Sequence, residues 1–486
     1  MGLQEREMPR SLPLPNRRRL VLTLALFASS GLGAQSSAPA PSISLPGSQS
    51  PFTGSEPEGK ATSEVLQLSF QEAINRGLRN NLGLLLSGDQ TIMARGERWK
   101  ELSSLLPNVS ARVLENVQTQ SLTAIGLKSN VFPFPIPRVI GPFNFFDARA
   151  TVTQSFSFRD LEKERAAVES LKSAQYSYKD ARELVVLAIG NSYLQAIATA
   201  ARIEATNAQV QNAQALYGKA SDQHKAGLSP AIDTLRSQVE LQTRQQQLIA
   251  ARNDFARQKL LLARVIGLPP GQEFVLTEKA PYETLAPLPV ETYLQRAYAS
   301  RQDYQAAQAQ VRAAELSRRA ATAGNYPSLD LNANYGDIGV TPAHSNGTWQ
   351  VNGGLNIPIF TGGKVRSDVL EADAQLKQAR SQLGDLRGRI DYEVRSALLD
   401  LNSAAEQVEV ARSSVDLAEQ SLTQSRDRFS AGVADNLEVV QAQESVAAAH
   451  DSYIQSLYAH NLAKVELAYA IGDAEQGVKR YLKGEH

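Results

Sequence analysis

The sequence predicts an internally duplicated α+β fold, built from very long coiled-coil hairpins and a small set of β-strands. Three observations carry that prediction. Apolar residues recur in heptads across Val369–Phe429. Short segments in each half of the chain alternate apolar with polar residues. The same landmarks, in the same order, occur once in each half.

The heptad stretch reads Val369, Ala372, Leu376, Ala379, Leu383, Leu386, Ile390, Val394, Ala397, Leu401, Ala404, Val408, Ala411, Val415, Ala418, Leu422, Ser425, Phe429. Its steps are threes and fours, with one extra four around Ile390, which is a coiled-coil seam with a single stutter. No proline follows Pro358. A helix from Gly363 to Ala431 would run roughly 100 Å at ~1.5 Å per residue, whereas ordinary helices have about 11–12 residues. From Val394 onward large residues alternate with Ala or Ser, so a neighbouring helix can approach closely.

The chain has 486 residues, and 50 basic side chains balance 50 acidic ones with no long single-sign run. That excludes bulk nucleic-acid binding, which needs a basic face. There is no cysteine, which excludes disulfides, thiolate catalysis, cysteine-ligated metals and a lipidated N-terminal cysteine. Arg17-Arg18-Arg19, the apolar run Leu20–Ala28 and small residues ending at Gly33-Ala34 have the layout of a secretory signal peptide over residues 1–34. The apolar run is far short of the ~20 residues a membrane span needs. Residues 35–64 are rich in Ser, Pro and Gly and read as an extended or disordered lead-in. No later stretch reads as a transmembrane helix, so an exported chain of this kind is soluble or a β-barrel, whose signal per segment is weak.

The duplication is ungapped over its final part. Ala226-Gly227 matches Ala431-Gly432, and Ile266-Gly267 matches Ile471-Gly472. Asp222 aligns with Asp427, Gln238 with Gln443, and Leu262 with Leu467. Earlier, Leu106-Pro107-Asn108 matches Tyr326-Pro327-Ser328. Repeat 1 is expected over 65–267 and repeat 2 over 291–472. A proline-rich linker over 268–290 joins them, and a charged tail over 473–486 ends the chain. Units this long are a duplication and not a solenoid.

Each repeat opens with a helical stretch, Phe70–Leu105 or Glu291–Ala323, ended by Pro107 or Pro327. Gly77, Gly83 and Gly88 are expected to interrupt the first. Two strands follow, about 108–125 and 143–157 in repeat 1, and about 328–341 and 347–360 in repeat 2. Leu329, Leu331, Ala333 and Tyr335 alternate with Asp330, Asn332 and Asn334, and Trp349, Val351 and Leu355 alternate with Gln350, Asn352 and Asn356. In repeat 1, Val109 and Val113 alternate with Ser110 and Arg112, and Ala148, Ala150 and Val152 with Asp147, Arg149, Thr151 and Thr153. Period two with one polar face is a β-strand. The loop between the first two strands carries Phe132, Pro133, Phe134, Pro135 and Pro137. A long helical hairpin closes each repeat, 160–266 or 363–471, turning at Gly227 or Gly432.

Four membrane-length strands cannot close a barrel, which needs at least about eight. An open edge in lipid leaves backbone groups unpaired at several kcal/mol each. If these strands enter a membrane, several chains must therefore pool them, with polar faces toward a wet lumen. A small soluble sheet packed on helices fits the alternation equally well. Export, the absence of cysteine and the length of the helices favour the barrel.

The hairpin turns are the remaining constellation. Asp435 and Glu438 form a D-x-x-E capping box after Gly432. Ser229 can cap the equivalent helix, Pro230 suits its first position, and Asp233 sits in its first turn. Capping and the helix dipole account for both acids locally. A second reading makes them a ring of carboxylates at one end of a pore, favouring cations. His224 takes the seam position of Phe429 and is expected to be packed or interfacial. There is no phosphate loop, nucleophile elbow or metal motif, so the sequence offers no catalytic residue, no metal site and no cofactor site.

The pattern resembles the outer-membrane efflux proteins of Gram-negative bacteria, the TolC-like channels. The resemblance covers about Leu66–Gly472 and rests on Leu68-Ser69-Phe70-Gln71-Glu72-Ala73-Ile74 with Asn80-Asn81-Leu82, on Leu105-Leu106-Pro107-Asn108, on Pro358-Ile359-Phe360-Thr361-Gly362-Gly363, and on Phe429-Ser430-Ala431-Gly432-Val433 followed by Leu437-Glu438-Val439-Val440. It implies a homotrimer whose twelve-stranded barrel, four strands per protomer, sits in outer-membrane lipid above a helical tunnel, or α-barrel, crossing the periplasm. An equatorial belt would use the linker and the chain ends. It also implies a periplasmic adaptor (membrane fusion) protein and an inner-membrane transporter as partners. Asp233, Glu438 and Gln441 would lie at the periplasmic aperture, and Gly227, Leu228, Gly432 and Val433 at the adaptor-docking tips. Gln441 stands where the type member has a second acid, and Ala434 where it has an arginine that holds the closed state. The function implied is a passive exit duct for efflux or secretion. A soluble periplasmic coiled-coil scaffold is the alternative that keeps the helices but not the inserted strands.

Overall fold

The computed structural model describes residues 51–127, 134–278, 281–286 and 288–483. The expected signal peptide, most of the lead-in, Phe132 and Pro133 lie outside the described residues. The elements run β1 (Leu66–Leu68), α1 (Phe70–Asn80), α2 (Leu82–Ser103), β2 (Asn108–Ser121), β3 (Val139–Phe156), α3 (Phe158–Lys225), α4 (Ala231–Ile266), β4 (Phe274–Leu276), α5 (Val290–Ser300), α6 (Gln302–Thr322), β5 (Ser328–Thr341), β6 (His344–Asn356), α7 (Lys364–Ser430), α8 (Asn436–Ala470) and α9 (Ala474–Leu482).

The two long helices have 68 and 67 residues. At ~1.5 Å per residue each is about 100 Å long. All the seam residues of α7 are buried except Val369, Leu383, Val415 and Ala418, which are half-buried. α3 pairs with α4 and α7 with α8 as antiparallel hairpins; the shorter α2 packs along α3, and α6 along both α3 and α7.

The four strands form one antiparallel sheet in the order β2-β3-β5-β6. Its register lines up the two faces across both repeats. Val109, Val152, Ala333 and Val351 form one row, and Ala111, Ala150, Tyr335 and Trp349 the next. On the opposite face Asn108, Thr153, Asn332 and Asn352 form a row, followed by Ser110, Thr151, Asn334 and Gln350. The apolar face is uncovered: Trp349 is 75% exposed, Val109 68%, Val351 67% and Tyr335 67%. From Leu329 to Tyr335 it is about 20 Å tall at ~3.4 Å per residue, close to the apolar band of an outer-membrane barrel.

Midway along the helices, elements from both repeats build the main core. Val185, Ile189 and Tyr193 of α3 meet Phe70 and Ile74 of α1, Leu262 and Ile266 of α4, Ile390 of α7, Leu467 of α8, Ile471 just past its end and Tyr481 of α9. β1 and β4 pair in parallel beside it, with the Tyr193 hydroxyl donating to the Leu68 carbonyl at 3.1 Å. α3 therefore contains a window apolar enough to cross a bilayer, half of it buried, contrary to the sequence expectation. The reason is that α3 is surrounded at this level and buries several faces at once.

Other expectations need correction. The opening helix of repeat 1 is interrupted as expected, and the break falls at Asn81, which accepts from Gly83 N at 3.0 Å. Gly77 and Gly83 instead make room: a Cβ would lie 2.1 Å from Ile189 and 2.4 Å from Phe52. Phe52 belongs to the lead-in, whose last part is thus docked rather than extended, with Asn81 Nδ2 donating to the Phe52 carbonyl at 2.7 Å. The opening helix of repeat 2 breaks at the matching place, Arg301. Residues 474–482 are helix α9, burying Val478 and Tyr481, and not merely a charged tail. The second strands of the two pairs start earlier than expected, at Val139 and His344.

Candidate functional site: the two hairpin turns

Both turns follow the same backbone logic. The helix ends at Ala226 or Ala431, and the next residue, Gly227 or Gly432, has φ near +75°. That conformation costs a side-chain-bearing residue energy that glycine avoids. Leu228 N donates to the Gln223 carbonyl at 2.8 Å and Val433 N to the Arg428 carbonyl at 3.0 Å. Each turn thereby presents one apolar side chain to solvent, with Leu228 79% and Val433 68% exposed.

The returning helices start differently. In α8, Asp435 accepts from Glu438 N at 3.3 Å, half of the expected capping box. The Glu438 carboxylate turns back to α7, where it accepts from Ser425 Oγ at 3.3 Å and faces Arg428 Nε at 3.4 Å. In α4, Pro230 is the N-cap and no side chain caps the helix. Ser229 does not act as the expected cap: its hydroxyl has no partner. Its carbonyl instead contacts His224 Nδ1 at 3.0 Å, so His224 is exposed and staples the turn rather than packing.

Asp233 is buried, with Arg236 3.7 Å away. Its backbone is tied to the other repeat. Asn436, fully buried, donates through Nδ2 to the Asp233 carbonyl at 3.0 Å and to Ser237 Oγ at 2.6 Å. This bridge places Asp233 beside the start of α8, two residues before Glu438. Gln441, one turn on from Glu438, is exposed. Above the bridge Glu240 and Arg244 form a buried ion pair at 2.6 Å along α4. Sequence reasoning missed Asn436, Arg428 and the Glu240–Arg244 pair. The available signal was position: an asparagine just inside a helix start normally faces water.

Away from the turns, Arg301 anchors the main core. It is 3% exposed, holds Asp303 through two bonds of 2.7 and 3.0 Å, and also contacts Glu393 and the Ala470 carbonyl. Burial first, and then the neighbouring Asp303, push the Asp180 carboxyl up to about 7. Lys464, fully buried, donates to the Glu283 and Leu482 carbonyls, fastening the linker and α9, and burial lowers it to about 8.

The sequence profile described as outer membrane efflux protein matches residues 293–473, most of the second repeat. The pyoverdine export outer membrane protein OpmQ of Pseudomonas aeruginosa is 25% identical over 329 residues, 65% of this chain and 67% of that protein. The toluene efflux pump outer membrane protein TtgC of Pseudomonas putida is 23% identical, covering 63% of this chain and 64% of its own length. Outer membrane protein TolC of Escherichia coli is 22% identical, covering 68% and 70%. This chain thus spans about two thirds of these relatives. The outer membrane protein VceC of Vibrio cholerae superposes with a TM-score of 0.72 at 20% identity, over 83% of this chain and 96% of that one. The MtrE outer membrane channel of Neisseria gonorrhoeae gives 0.71 at 15%, over 89% and 96%. The structural matches share the protomer fold, and over residues 293–473 and the aligned two thirds of its length this chain is similar to outer membrane efflux proteins, the TolC-like outer-membrane channels.

Proposed function

We propose that three copies of this chain form a passive exit duct, with no catalytic step of its own, running from the hairpin turns to the outer face of the outer membrane. One observation carries the reading: the sheet has two open edges, β2 and β6, and one uncovered apolar face. Lipid satisfies the apolar face, but only pairing satisfies the edges. Joining β2 of one copy to β6 of the next closes twelve strands around the polar face. A soluble scaffold would leave this face in water, where contiguous apolar surface of such size is rare on monomers.

The hairpins would then form the periplasmic tunnel. In this reading Asp233, Glu438 and Gln441 surround its aperture, and Leu228 and Val433, beside Gly227 and Gly432, meet a periplasmic adaptor bound to an inner-membrane transporter. Glu438 is the more accessible acid, so Glu438→Ala widens the aperture or weakens cation block more than Asp233→Ala. The test is fractionation followed by planar-bilayer recording. Detergent-dependent extraction from outer membranes as a trimer that conducts supports the duct. A water-soluble monomer without conductance overturns it. Unchanged conductance and divalent-ion block in the double mutant removes the aperture assignment.

A further inference from the structure

The polar face of the sheet carries four charged side chains: Arg112, Asp147, Arg149 and Asp330. They are not evenly mixed. The register sets Arg112 directly across from Arg149, and the same row continues through Gly336 to Thr348. Like charges directly opposite one another destabilise a sheet, so the pairing calls for an explanation. Arg149 is neutralised in place, since Asp147 holds its Nε and Nη2 at 2.6 Å each. Arg112 is exposed and, among the described residues, has no carboxylate partner. The next acid on this face, Asp330, lies six residues along β5 from the row. That is about 20 Å, some two screening lengths at 0.1 M salt. The row also gives up a side chain: a Cβ on Gly336 would lie 2.4 Å from Arg149 Cα and Cβ.

We infer that Arg112 forms a ring of unpaired guanidiniums in the barrel lumen that makes the outer-membrane end of the duct selective for anionic solutes. The inference rests on the trimeric duct proposed above. Three copies place three such cations at one level of a twelve-stranded barrel, and basic rings select anions in pores. The acids at the periplasmic aperture favour cations, so the two ends of the duct carry opposite preferences.

The test is reversal potential in a potassium chloride gradient at low ionic strength, where screening is weak. The parent, Arg112→Gln and Arg112→Glu are compared, each alone and with Glu438→Ala so that the aperture does not mask the barrel. Trimer migration in detergent shows that each variant has assembled. The expected result is a shift toward the potassium potential in Arg112→Gln and a larger one in Arg112→Glu. Assembled, conducting variants with the parent's reversal potential overturn the inference and leave the duct standing. A parent trimer that does not conduct overturns the duct and the inference together.

Discussion

At the scale of single residues, the consequential side chains are polar groups whose partners come from the other repeat. Asn436 satisfies a carbonyl and a hydroxyl across the hairpin boundary. Asn436→Ala removes both bonds from a buried site and leaves the Ser237 hydroxyl donating to the Asp233 carbonyl at 2.8 Å, so the cost is about 1 kcal/mol. The expected outcome is an aperture that opens more often, read as larger mean conductance with the trimer melting point lowered only slightly. Asp180 acts through charge. Its carboxyl is pushed up to about 7 from an ordinary value of 3.8, so between those limits the folded state binds the proton more tightly than the unfolded chain. This group therefore adds stability in acid that is lost as pH rises toward 7. Glu183, pushed up to about 7 chiefly by burial, acts in the same direction. His460, lowered to about 4 by burial and Lys464, acts oppositely, adding stability as pH rises from 4 to 6.5. Asp180→Asn removes its own contribution alone. The difference in melting temperature between variant and parent should grow in the variant's favour between pH 5 and pH 8.

At the scale of elements, each long hairpin is locked where its returning helix ends. Gly267 and Gly472 end α4 and α8 with φ of +72°. A Cβ on Gly472 would lie 2.8 Å from Arg301 N, and one on Gly267 would lie 2.5 Å from Asn80 Cβ. Each glycine thus touches the break between the two opening helices of its own repeat. Gly472→Ala combines a disfavoured backbone with a backbone clash. It should lower the melting temperature more than Ala448→Gly on the same helix, which costs about 1 kcal/mol through propensity alone. The seam of α7 was readable from spacing because one coiled-coil contact sets it. The breaks at Asn81 and Arg301 were not, since helix propensity on either side is good and the interruption is imposed by the core they meet. The glycines of the first helix did signal an interruption but not its place: Gly77 and Gly83 make space for Ile189 and Phe52, far away in sequence.

At the scale of the whole molecule, the sheet sets what the chain can be. Val351 is 67% exposed in the middle of the apolar rows. Val351→Arg on a lipid-facing site near the midplane should cost about 2–4 kcal/mol of insertion free energy. The expected result is a drop in trimer recovered from outer membranes, while Asn352→Arg on the opposite face is recovered normally. Equal recovery of the two variants contradicts the assignment of faces.

Periodicity by itself determined the duplication, the long helices, the four strands and which face of each strand is polar. Those properties depend on repeating local contacts, and repetition leaves a trace in residue order. Only the tertiary structure decided that Asn436 ties the two turns together, that Glu438 turns back to Arg428, and that Arg112 stands opposite Arg149. These are single contacts made once between distant segments, fixed by strand register and helix docking, and a contact made once has no period to read.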